Sequence, residues 1–199
     1  MVAVYPARVI TLLRDGRTWR GGTGADVAWI DAGTSIGRTI TAAIPPVFEA
    51  YGTVLLPEWD QDDDDRQRHA RAVLTVLRDH SPAQPWWLGY LDTGVHDVVF
   101  PDSPRVTLYS GWHYVLVEAG PEQAATWRTT DLASSWEFTL PDLLFPADRS
   151  WLLSKLWDDD WACIGGTAAL VDAFVRHPDL RARAVALGED ATPLGHEAI

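Results

Sequence analysis

Cysteine is nearly absent from this chain. The one thiol, Cys163, among 199 residues excludes an intramolecular disulfide and a cysteine-based zinc site. Positive charge is scarce as well: Lys155 is the single lysine beside fifteen arginines, and the formal net charge is −12. That balance argues against nucleic acid and anionic membrane surfaces as partners and favours a basic protein. No apolar run approaches the ~18 residues of a membrane span. The opening stretch, MVAVYPARVITLLRDG, has no basic leader ahead of an apolar run; it does not read as a signal peptide, and a cytoplasmic location is expected. P-loop and dinucleotide fingerprints are missing. The histidines, at 69, 80, 96, 113, 177 and 196, match neither zincin nor zinc-finger spacing. His113 and Glu118, five apart on an expected strand, fall on opposite faces. The sequence therefore assigns no catalytic residue, metal ligand or cofactor.

Tryptophan, by contrast, is abundant. Eleven of them, in a chain that is 47% hydrophobic, point to a core or groove built on aromatic anchors. The length suits one domain with a substantial core. We expect a single α+β domain over residues 1–183, followed by a loose Ala/Gly/Pro-rich tail at 184–199. The expected sheet is mostly antiparallel, of five or six strands, with helices packed on it.

Along the chain, residues 2–13 read as a strand, 16–26 as Gly-rich turn and 26–30 as a short strand. A helix over about 36–54 is broken by Pro45–Pro46. From about 46 it places Val47, Phe48, Tyr51, Val54 and Leu55 on one face. A second helix, about 65–80, buries Ala70, Val73, Leu74 and Leu77. Aromatic and β-branched runs (WWLGYL, HDVVF, RVTLYS, WHYVLVEA) then read as strands, with hairpin turns at 92–94 and 110–111. A short helix is expected at 120–128. Strands are expected at 150–157 and in WACIG, with the first near the centre of the sheet. The clearest helix, 166–177, carries Leu170, Val171 and Phe174 on one face.

Two acidic segments stand out. Asp62, Asp63, Asp64 and Asp65 close the stretch 58–65, which holds six acids and no base, and suit a helix start. Asp158, Asp159 and Asp160 lie between Trp157 and Trp161, where an exposed turn between two strands with inward-facing tryptophans is expected. Their spacing lacks the alternating acids, central glycine and closing glutamate of a calcium loop. These residues are the candidate contacts for a basic partner. A second candidate is an aromatic-lined pocket near Trp86, Trp87, Trp112 and Tyr114, which would make the chain a small-ligand binder or an enzyme of unknown class.

Several stretches resemble a group of uncharacterised actinobacterial proteins. They are Pro45, Pro46, Phe48, Glu49, Ala50 and Tyr51; Asp148, Arg149 and Trp151; and Gly165 with Gly166 before a helix. That resemblance implies no activity. The IPPVFEAY segment also resembles the early helix of the SUKH superfamily, though Gly52 stands alone where that superfamily has Asn-Gly-Gly. This second resemblance implies a mixed α+β fold and an immunity-protein role: binding and neutralising a toxin without catalysis.

Overall fold

The structure is a computed structural model that describes residues 10–57, 62–81, 83–93, 100, 103–128, 139–156 and 159–193. It opens on a hairpin. Strands β1 (Ile10–Arg14) and β2 (Arg17–Gly21) join across Asp15 and Gly16, both at positive φ. Asp-Gly suits this turn because both central residues must be left-handed. The 16–26 segment is thus turn only at its start. Helix α1 (Gly24–Asp31) replaces the strand expected at 26–30. Its first turn is fixed by Thr23, whose amide and hydroxyl both donate to the Asp26 carboxylate at 2.8 Å.

The helix expected from about 46 is a strand instead. A single 3₁₀ turn at Ile40–Ala42 leads through Pro45–Pro46 to β3 (Ala50–Leu55). Alternate strand residues face opposite ways, and Tyr51 and Val54 enter the cores on opposite sides of the sheet. Val47, assigned to the same helical face, is exposed. The Tyr51 hydroxyl turns back to the Phe48 amide and carbonyl, both at 2.9 Å, and closes the turn before the strand.

Helix α2 (Asp63–Asp79) buries Ala70, Val73, Leu74 and Leu77 as expected. The chain continues through β4 (Trp86–Leu91), β5 (Val106–Leu108), β6 (Trp112–Ala119) and α3 (Pro121–Thr126). It ends with β7 (Leu143–Pro146), β8 (Leu152–Lys155), β9 (Trp161–Gly166), α4 (Ala168–Arg176) and β10 (Arg181–Ala184). The turn at 110–111 lies where the sequence put it, between Leu108 and its cross-strand partner Trp112. Gly94, from the other expected turn, and residues 96–99 lie outside the described residues, as do residues 2–9 of the first expected strand.

All strands join one antiparallel sheet in the order β1-β2-β6-β4-β7-β8-β9-β3-β10, with β5 on β6. The α+β class holds, but the sheet has ten strands among the described residues rather than five or six. The extra strands lack an alternation of large apolar and polar residues. β2 (RTWRG) and β10 (RARA) are polar, and β3 is buried on both faces. Helices α2, α3 and α4 cover one face, over Trp86, Leu88, Tyr90, Val117 and Ile164. The other face, carrying Trp87, Tyr114, Phe145 and Cys163, is covered by α1, the 3₁₀ turn and Val185. Past residue 184, Val185 and Ala191 are buried and Asp190 bridges to Thr39. Residues 194–199 lie outside the described residues.

Candidate functional site: an acidic, aromatic cleft

Three separate segments meet over the second face of the sheet: the end of α1 with the loop after it, the β5–β6 hairpin, and the end of β8. Between them lies an open cleft of about 650 Å³, lined by Asp31, Thr34, Ser35, Ile36, Trp112 and Leu156 among others. That volume falls within the range of small-molecule sites. Two of its walls are apolar and face water, with Ile36 89% and Trp112 43% exposed.

The hairpin tip is held in an unusual backbone shape. Tyr109 and Ser110 both have positive φ, 50° and 66°, where glycine or asparagine is the normal occupant. Such conformations cost on the order of 1 kcal/mol each and persist where surrounding contacts dictate them. Here the Tyr109 hydroxyl supplies those contacts. It bonds the Ser154 hydroxyl at 2.8 Å and donates to the Ala43 carbonyl at 3.1 Å, tying the hairpin to β8 and to the 3₁₀ turn. Its ring meets Tyr114 edge-on at 6.0 Å. Burial drives the Tyr109 pKa well above the usual tyrosine value, the Ser154 hydrogen bond partly offsets this, and the Cys163 and Asp31 charges raise it further. The hydroxyl therefore stays protonated and serves as a structural tie. The tip it fixes carries Trp112 at the rim.

The opposite wall is electronegative. Asp31 is the last residue of α1, where the helix's terminal carbonyls already concentrate negative potential. Among the described residues Asp31 forms no ion pair. Further along the same loop, the Arg38 carbonyl accepts from the Ala191 amide at 2.8 Å. Beside the cleft, Leu156 starts the turn between β8 and β9, and the Asp159 amide donates back to the Leu156 carbonyl. The acidic turn thus springs from the cleft wall, and Lys155 donates to that same carbonyl at 3.3 Å.

The residues singled out in the sequence fall in different places. Asp62 caps α2 by accepting from the Asp65 amide at 2.8 Å. Asp63 and Asp65 form ion pairs with Arg66 and Arg68 one turn on, and Asp64 completes the first turn. Asp160 is exposed and Asp159 half-buried, in the turn expected for them. Trp161 is half-buried and packs against the second core, as Tyr109 and Leu156 also do. Trp157 and Asp158 lie outside the described residues. The four aromatics of the expected pocket are divided by the sheet. Trp86 lies in the first core, edge-on to Trp151 at 5.0 Å. Trp87 lies in the second, stacked on Phe145 with the Arg20 guanidinium 4.8 Å away. Tyr114 is buried beneath Tyr109, and Trp112 alone of the four lines the cleft. Sequence reading missed Asp31, Ile36 and Tyr109; only the positioning of α1 brings the first two to the hairpin.

Other reactive groups are held quiet. Burial raises the Cys163 pKa well above its usual value, and the Asp159 charge adds to this. Arg128 and Asp142 form a buried pair at 2.6 Å that also engages the Leu140 carbonyl and the Leu91 amide. Among the described residues, no cluster of three or more His, Cys, Asp or Glu side chains is placed to hold a metal, and no helix is long and apolar enough to cross a membrane.

The segments that carry the family resemblances meet one another. Phe48 and Ile44 lie so close over Gly165 that an added Cβ would sit 2.5 and 2.6 Å from them. Glu49 accepts from the Ala168 amide at the start of α4. These contacts are packing and capping. The fold defines an α+β protein built on one antiparallel sheet, with a rimmed cleft on one face. Comparison with protein-family models, curated proteins and solved structures finds no match.

Proposed function

We propose that this protein is a non-enzymatic, immunity-like binding module for a basic protein partner, and that the cleft beside the acidic β8–β9 turn is its docking centre. The supporting observation is the combination at one place: exposed Trp112 and Ile36 line the same cleft as Asp31, which forms no ion pair among the described residues, on a chain of net charge −12. Aromatic anchors in a partly enclosed site supply affinity, and surrounding like charge supplies steering and partner choice. Asp159 and Asp160 extend the acidic rim. Asp62–Asp65 contribute less, because two of them are matched by arginines on their own helix.

The cleft volume also suits a small ligand, which is the second reading. One selection separates the two. Random peptides displayed on phage are panned on the wild type and counter-panned on a Trp112→Ala/Asp31→Asn variant. Basic peptides enriched on the wild type and lost on the variant support a protein partner. Enriched peptides without charge bias, or ones that hold the variant equally well, overturn it.

A further inference from the structure

We propose that the tip of the β5–β6 hairpin is a gate, latched by the Tyr109 hydroxyl, over a concealed polar row made by Ser154, Cys163 and Thr53. The row follows from the sheet register. Ser154 pairs with Cys163, and Cys163 with Thr53, so the three side chains stand on one face of three neighbouring strands, which lie about 4.8 Å apart. Cys163 marks that face as the second one. All three residues are buried, at 1%, 3% and 1% exposure. Tyr109 covers one end of the row, where its hydroxyl meets that of Ser154 at 2.8 Å, and it also lines the open cleft. The gate is a property of this chain and does not depend on which partner the cleft takes.

Two observations point to an open state. The first is the row itself. A core face is most stable when built from apolar side chains, and a buried hydroxyl without a partner is destabilising. Thr53 Oγ1 is such a hydroxyl, with no hydrogen bond among the described residues. A state in which the row meets water satisfies it. The second observation is the tip. Tyr109 and Ser110 are held at left-handed φ that neither residue type favours, so leaving that conformation relieves strain. The hairpin is also lightly built on one side: β5 has three residues and, among the described residues, pairs only with β6. Elements with few ladder bonds open at lower free energy than the domain as a whole. The Tyr109 hydroxyl, bonded to Ser154 and to the Ala43 carbonyl, opposes that opening.

Cys163, the one thiol of the chain, lies in the middle of the row and reports on the gate. Burial keeps it protonated and out of reach while the gate is closed. The test follows its reaction with dithiodipyridine, a neutral disulfide that releases a coloured thione, at rising urea concentrations below the unfolding transition. The expected rate is independent of urea at low concentration, as for a local opening that exposes little surface, and climbs only near the transition. Tyr109→Phe leaves the Ser154 hydroxyl and the Ala43 carbonyl short of a partner and should speed the urea-independent reaction by roughly fivefold or more. Thr53→Val removes the hydroxyl that gains water on opening and should slow it by about twofold or more. A rate that rises with urea from the start, with the slope of global unfolding, means that the thiol is reached only by unfolding and overturns the proposal. So does a Tyr109→Phe rate equal to wild type, or a Thr53→Val rate equal to wild type or faster. If Tyr109→Phe does not fold, Ser154→Ala takes its place. It removes one of the two bonds of the latch and should speed the reaction by about twofold or more, and an unchanged rate overturns the proposal in the same way.

Discussion

Replacing Gly165 with alanine tests the packing between the Pro-Pro segment and β9. The added Cβ would lie 2.5 Å from Phe48 Cδ2 and 2.6 Å from Ile44 Cγ2, about 1 Å inside the ~3.5–4.0 Å optimum for carbon contacts. Neither neighbour yields easily. Ile44 is fully buried, and Phe48 is wedged edge-on against Trp29 and Tyr51, with its backbone bonded to the Tyr51 hydroxyl. Overpacking of this kind costs ~1–3 kcal/mol. Loss of glycine's freedom in the unfolded chain offsets about 0.4–1 kcal/mol. The expected net loss is ~1–2 kcal/mol, a fall of roughly 2–8 °C in melting temperature for a domain of this size. Urea and thermal unfolding of Gly165→Ala, Phe48→Leu and the double variant would measure it. Relief of the clash should make the double variant more stable than additivity predicts, by ~1 kcal/mol. Gly24→Ala is the control, since nothing lies within 4 Å of its added Cβ, and it should be neutral or stabilising. A Gly165→Ala protein as stable as wild type, or strict additivity with Phe48→Leu, would refute the reasoning.

Two further predictions follow from buried and capping groups. His69 is buried on α2, and burial lowers its pKa from 6.5 to about 4, with the Leu55 backbone hydrogen bond acting the other way. The unfolded chain therefore binds the proton first, so stability is full above pH ~6.5 and falls as pH drops toward 4. At ~1.4 kcal/mol per pH unit the loss is ~2 kcal/mol by pH 5 and about 3 kcal/mol in full. Urea midpoints between pH 7 and pH 5 should fall by less in His69→Gln, and an unchanged slope would remove His69 as the cause. Asp62→Ala should cost ~1 kcal/mol through loss of the α2 cap, whereas Asp64→Ala should cost under ~0.5 kcal/mol. Equal effects in thermal melts would contradict a capping role for Asp62.

How much of this could be read in advance depended on how many faces each element buries. Helices α2 and α4 bury one face each, so their apolar residues recur with helical period and were found. The β5–β6 hairpin announced itself through its Ser-Gly turn and β-branched flanks. β3 buries both faces, and its apolar residues fit a helical wheel equally well. Helix α1 is short and apolar, with no clear period, and passed for a strand. The overlooked signals were local chemistry: for α1, Thr23 and Asp26 at its start, and for the β1–β2 hairpin, Asp15–Gly16. The cleft had no linear signature, because Asp31, Trp112 and Leu156 come together only through tertiary structure. Trp112 was named from its aromatic context. The expected neighbours Trp86 and Trp87 are adjacent on one strand and therefore sit in opposite cores.

The place of β3 in the sheet has a bearing on how the chain is made. Its two neighbours are β9 and β10, so Tyr51 pairs with Gly165, more than a hundred residues later. During synthesis at ~5–20 residues per second, that strand precedes its first partner by on the order of ten seconds. The strands from β4 to β9 need no such delay, since each can pair with a strand close in sequence. An apolar strand awaiting both neighbours is the part of a nascent chain most exposed to wrong pairing. The last native strand to emerge, β10, brings Arg181 and Arg183 to the outer edge beside β3, so the element that completes the sheet also places charge along its border.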